Sequence, residues 1–143
     1  MAVKERTQQL RIVAEILLIH LPEYLAKDQP LAHDLLSVAG QALNTIYEDA
    51  EASSKSWDKR AYHVRADELR REWDWALGAA NFALGLALRP DPLTDAHLAK
   101  LKVLIRPEME RPTRKQIADP TRFRGAAQAL AKQLSQKRKP LRE

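Results

Sequence analysis

Residues 75 to 88, WALGAANFALGLAL, contain one amide, Asn81, as their only polar side chain. In a chain with 30% charged residues this run dominates the folding problem, because it must be covered from more than one side. It is shorter than the roughly 20 apolar residues that a membrane-spanning helix requires, so the expected cover is protein and no membrane partner is expected. At 100° per residue Ala76, Ala80, Leu84 and Ala87 share one direction, whereas Trp75, Ala79, Phe82 and Leu86 point away from it.

The remaining periodicity is helical, and no strand pattern, internal repeat or low-complexity tract accompanies it. Leu10, Ala14, Leu17, Leu21 and Tyr24 make the buried face of a first helix, which Pro22 bends or ends. A second helix starts at Asp28 as N-cap with Pro30 in its first turn, and carries Leu31, Leu35, Val38, Ala42 and Ile46 to about Ala50. EASSKSWDK at 51 to 59 reads as a surface connection. The third helix is expected from about Arg60 to Leu88, roughly 40 Å long. RPDPLTD stops it, and Thr94 caps a fourth helix, with Leu93 and Leu98 spaced as a hydrophobic staple. The expected fold is an all-α, antiparallel up-and-down four-helix bundle over residues 1–110. A basic extension over 111–143, partly helical or disordered and loosely attached, follows it.

Two helices carry a second apolar stripe: Ile12, Ile16 and Ile19 on the first, and Trp75, Phe82 and Leu86 on the third. The plainer alternative is that the chain's other helices wrap them; an oligomer or partner interface is the favoured expectation. Gly78 and Gly85, one heptad apart, either admit a close helix or are simply tolerated.

The net charge of +5 is uneven: residues 1–51 sum to −4, residues 52–106 to +3 and residues 107–143 to +6. The accumulation points to a polyanionic partner. On the third helix Lys59, Arg60, Arg65, Arg70 and Arg71 lie beside Tyr62 and His63, although Asp67, Glu68, Glu72 and Asp74 can neutralise much of that face. Arg111, Arg114, Lys115, Arg122 and Arg124, then Lys137, Arg138 and Lys139, have fewer compensating acids. Such residues neutralise phosphates and release counterions, giving affinity for nucleic acid that falls with salt; the plainer alternative is a solubilising tail.

Catalytic signatures are missing. There is no Gly-rich phosphate loop, no GxSxG, no HExxH and no cysteine, and His20, His33, His63 and His97 are far apart. The expectation is a non-enzyme with no metal and no cofactor. Freedom from cysteine fits a reducing, cytoplasmic setting.

With its apolar WALGAANFALGLALRPDPLT segment and capped TDAHLAKLKVLI helix, the chain resembles the accessory variability determinant (Avd) proteins of diversity-generating retroelements. The resemblance covers about residues 8 to 106 and is best over 73 to 105. It implies a homopentamer of four-helix bundles that binds the retroelement reverse transcriptase and its RNA, and with it cDNA, in support of mutagenic reverse transcription. The polymerase would supply the chemistry. The alternative is an oligomeric scaffold or protein-interaction bundle with no nucleic-acid role.

Overall fold

The computed structural model describes residues 2–105 and 117–138, with side chains over 6–105 and 117–136. Among them all regular structure is helical. The organising element is α3, Gln29–Lys59. Asp28 caps it by accepting from the Leu31 amide at 3.1 Å, and Pro30 sits in its first turn, where a missing N–H costs nothing. Leu31, Ala32, Leu35, Leu36, Ala39 and Leu43 are all buried, so α3 is covered from several directions.

The helix does not stop at Ala50. Residues 51 to 59 continue it because Ser54 takes the next inward position after Ile46 and Ala50, fully buried, and donates its hydroxyl to the Ala50 carbonyl at 2.9 Å. A serine that satisfies its own hydroxyl within the helix can stand where an apolar residue would. That substitution hides the period in the sequence.

On one side of α3 lie α1 (Ala2–Glu15) and α2 (Leu21–Lys27), joined by a π-helical turn at Ile16–His20. The Leu21 amide bonds to the Ile16 carbonyl, five residues back, just ahead of Pro22. The extra residue in that turn accommodates the proline without ending the helical path. It also brings Ile16, Leu17, His20 and Leu21 inward together. Arg6 Nη1 meets Asp49 Oδ2 at 2.7 Å, tying the start of α1 to the distal half of α3, so α1 and α2 run antiparallel to α3.

On another side lie α4 (His63–Trp73) and α5 (Trp75–Ala87). The single long helix expected here starts three residues late and breaks at Asp74, where the Leu77 amide reaches the Asp74 carbonyl at 3.3 Å, a tightened turn. Trp73 and Trp75 flank the break with ring centroids 6.1 Å apart. Gly40 of α3 marks the closest approach to α5: a Cβ there would lie 2.6 Å from Leu84 Cδ2 and 3.3 Å from the Leu84 amide nitrogen. The close-approach glycine is thus Gly40; a Cβ on Gly78 or Gly85 would meet nothing within 4 Å.

The run 75 to 88 is covered largely by its own chain. Ala76, Ala80 and Ala87 are buried as expected, but so are Ala79, Ala83 and Leu86. Leu86 lines a small apolar cavity with Leu21, Leu36, Leu93 and Leu101. Behind that cavity α6 (Asp95–Leu104) starts at the expected cap: Thr94 Oγ1 accepts from the His97 amide, and His97 Nδ1 accepts from the Thr94 amide at 3.2 Å.

The described part of the C-terminal segment is held to the end of α1 and the start of α3 by acid groups. The Ile117 amide donates to buried Glu15 at 2.9 Å. A 3-10 turn at Pro120–Phe123 follows, capped by Asp119, and Arg124 then pairs with Asp28 at 2.7 Å. Asp34 accepts from the Gly125 amide at 2.7 Å and from the Ala127 amide at 2.9 Å, capping α7 (Ala126–Arg138) from another helix. Gly125 has φ +92°, a conformation that other residues rarely adopt. Where a loose attachment is expected, residues 117–127 make four contacts to three carboxylates, Glu15, Asp28 and Asp34. The expected boundary at residue 110 lies outside the described residues.

Candidate nucleic-acid interface

The turn between α3 and α4 gathers cations and aromatic rings in a few residues. The Tyr62 amide donates to the Trp57 carbonyl at 2.9 Å and the Ala61 amide to the Asp58 carbonyl at 2.9 Å, the paired bonds of a Schellman ending. The residue that must turn left-handed in such an ending is usually glycine; here it is Ala61, with φ +66°. Around it the Arg60 guanidinium lies 5.5 Å from the Tyr62 ring centroid, and that of Arg65 lies 5.1 Å from the Trp57 ring. Lys59 and Arg71 are exposed. Tyr62 is 52% exposed and Val64 74%.

The acid in this turn is engaged elsewhere. Asp58 accepts from Arg70 Nη2 at 2.6 Å and faces His63 Nδ1 at 2.8 Å. The hydrogen bond from Arg70, then that from His63, holds the Asp58 carboxyl below its usual range, and the same contact raises Arg70. Arg70 also reaches Asp67 at 3.3 Å. Arg70 is therefore an internal partner, whereas Lys59, Arg60, Arg65 and Arg71 face outward.

The other basic candidates are dispersed. Arg122 stacks on Phe123 at 4.8 Å and borders a groove of about 380 Å³ that includes Gln9, Ile12, Val38 and Thr45. Arg124 is taken by Asp28, whose carboxyl is lowered chiefly by that hydrogen bond and next by the Leu31 amide. Lys137 and Arg138 end α7, their side chains outside the description; Arg111, Arg114, Lys115 and Lys139 lie outside the described residues.

Of the expected interface residues, Ile16 is 0% exposed and Leu86 8%, both covered by the chain's own helices, and they offer no surface to a second subunit. Ile12, Ile19, Trp75 and Phe82 are half-buried, and Lys100 Nζ sits 5.3 Å from the Phe82 ring. Trp57 as a stacking ring was missed because residues 51 to 59 read as a loop. Asp34 and Glu15 were missed because their partners lie far along the chain.

The four histidines serve separate local contacts. His20 faces Glu15 at 2.7 Å, His33 bridges the Gln29 and Asp91 carbonyls, His63 meets Asp58 and His97 completes the α6 cap. Among the described residues no group of three or more His, Cys, Asp or Glu side chains could hold a metal ion, and no helix is long and apolar enough to cross a membrane. Neither protein-family models, nor curated proteins, nor solved structures give a significant match to this chain.

Proposed function

We propose that this chain is a non-enzymatic, nucleic-acid-binding helical bundle that acts as the accessory protein of a diversity-generating retroelement. In this reading it is cytoplasmic, it adopts the antiparallel up-and-down four-helix arrangement, and it assembles as a homo-oligomer, a pentamer. Its basic surface holds RNA, and cDNA in turn, against the reverse transcriptase. The observation that supports the reading best is how the acids are used. Glu15 and Asp34 turn inward to backbone amides, and Asp28, Asp49 and Asp58 each bind an arginine of the same chain. Lys59, Arg60, Arg65 and Arg71 stay outward, and the burial of Glu15 and Asp34 shifts the remaining surface toward positive charge, with Asp67, Glu68, Glu72 and Asp74 exposed further along the chain. The resemblance over residues 73 to 105 supplies the retroelement context.

The test is to look for a reverse-transcriptase gene beside this one and to reconstitute its product with the chain. Templated cDNA should require the added chain, and light scattering of the chain alone should give the mass of five subunits. Synthesis that proceeds equally without the chain, or a gene neighbourhood with no polymerase, contradicts the retroelement assignment. A bundle that oligomerises but never retains RNA would instead be a protein-interaction scaffold.

A further inference from the structure

We infer that the α3–α4 turn is a stacking site for single-stranded nucleic acid, in which Trp57 and Tyr62 supply the rings and Arg60, Arg65 and Lys59 the phosphate contacts. The inference rests on the nucleic-acid reading above and narrows it to one place and one strand state. Three independent observations meet there. First, each ring already carries a guanidinium, Arg60 on Tyr62 at 5.5 Å and Arg65 on Trp57 at 5.1 Å, so cation and π-face alternate within nine residues. A base has a π-face of its own, and a phosphate follows it along the strand; an alternating surface matches that alternation. Second, Tyr62 and Val64 are exposed at 52% and 74%, an apolar outcrop on a part of the molecule where folding has no use for it. Third, the Schellman ending, with Ala61 left-handed, stops α3 here and places Arg60 and Tyr62 on either side of the turn.

Charge selects the partner. Asp58, the one acid between Trp57 and Ala66, is closed off by Arg70 and His63, and the next acids, Asp67 and Glu68, lie further along α4. An acidic peptide would satisfy those charges and leave the rings idle. A duplex would offer phosphates but keep its bases stacked on one another. A single strand uses both kinds of group.

Fluorescence anisotropy with a labelled oligouridylate and, separately, a duplex of equal length tests the inference on the full chain. Tyr62→Ala should weaken oligouridylate binding roughly ten-fold, Tyr62→Phe should restore it, and duplex binding should be unchanged by either. Arg65→Lys, which keeps the charge and loses the planar stack, should weaken the single strand and spare the duplex. Lys59→Gln should flatten the salt dependence, whereas Tyr62→Ala should not. Tyr62 is exposed, so the variants remain folded, and their melting temperatures verify it. If the wild-type chain binds the oligonucleotide and Tyr62→Ala binds equally well, the stacking site is refuted while the basic-surface reading stands. If the wild-type chain binds no oligonucleotide, or binds only acidic peptides, both are refuted.

Discussion

Gly40 and Gly85 look alike in the sequence, each a glycine inside an apolar helix, yet they meet opposite surroundings. Alanine at Gly40 would drive a methyl group against Leu84, side chain and backbone both, so α3 and α5 would have to separate. Gly40→Ala should lower unfolding free energy by about 1 to 3 kcal/mol. Gly85→Ala meets open space and should raise it by roughly 0.5 to 1 kcal/mol through helix propensity. Urea denaturation of the two variants reads the contrast, and equal effects of one sign would contradict the α3–α5 packing. Which glycine admits the neighbour was not legible in the sequence, because close approach belongs to a pair of helices and not to either one. Local features were legible: Asp28 and Thr94 were read as caps from their own neighbourhoods, and each accepts the backbone amide expected of it.

Elements depart from the sequence reading wherever a distant partner decides. The helix α3 outran its apparent end because Ser54 occupies an inward position, and the long third helix divided at Asp74. In the basic extension, expected to be partly helical or disordered, α7 forms, and what its own residues do not show is its anchor, which lies 91 residues back, where Asp34 caps it. Asp34→Ala should cost about 1 to 2 kcal/mol and leave two amides without their acceptor. Hydrogen exchange should then accelerate at Gly125 and Ala127 while the amides of α5 keep their protection; unchanged exchange at those two positions would contradict the docking. The attachment should also be acid-labile. Asp28 is held below the usual carboxylate range by Arg124, so its contribution is fully present above the ordinary value, near 4, and disappears as pH falls through the lower folded value. Arg124→Gln should reduce that acid sensitivity, leaving the part due to the Leu31 amide, measured by exchange at Gly125 as pH is lowered from about 5 to about 2.

At the scale of the whole molecule, α3 acts as an axis that α1, α2, α4, α5 and α7 pack against, α6 packs on α5, and carboxylates fasten the described C-terminal segment to α1 and α3. The all-helical class was legible from periodicity alone, since the 3.6-residue repeat survives in every long element. The candidate site was legible only in part. The basic residues at 59 to 71 were found, but their division into outward cations and the internal partner Arg70 depends on where Asp58 points. Outward apolar surface was overestimated, because the turn at Ile16–His20 and the cavity around Leu86 absorb two of the six expected interface residues. What remains outward is a cluster of cations at the α3–α4 end, with Asp67, Glu68, Glu72 and Asp74 exposed further along the chain. The central claim is that this surface holds nucleic acid by charge. Titrating a labelled single-stranded RNA with the full chain from about 50 to 200 mM salt tests it most directly. The account predicts tight binding at the low end and a linear fall of log affinity with log salt, with a slope of magnitude about two to three for the outward cations of the α3–α4 end alone. Negligible affinity at the lowest salt, or an affinity indifferent to salt, would contradict it.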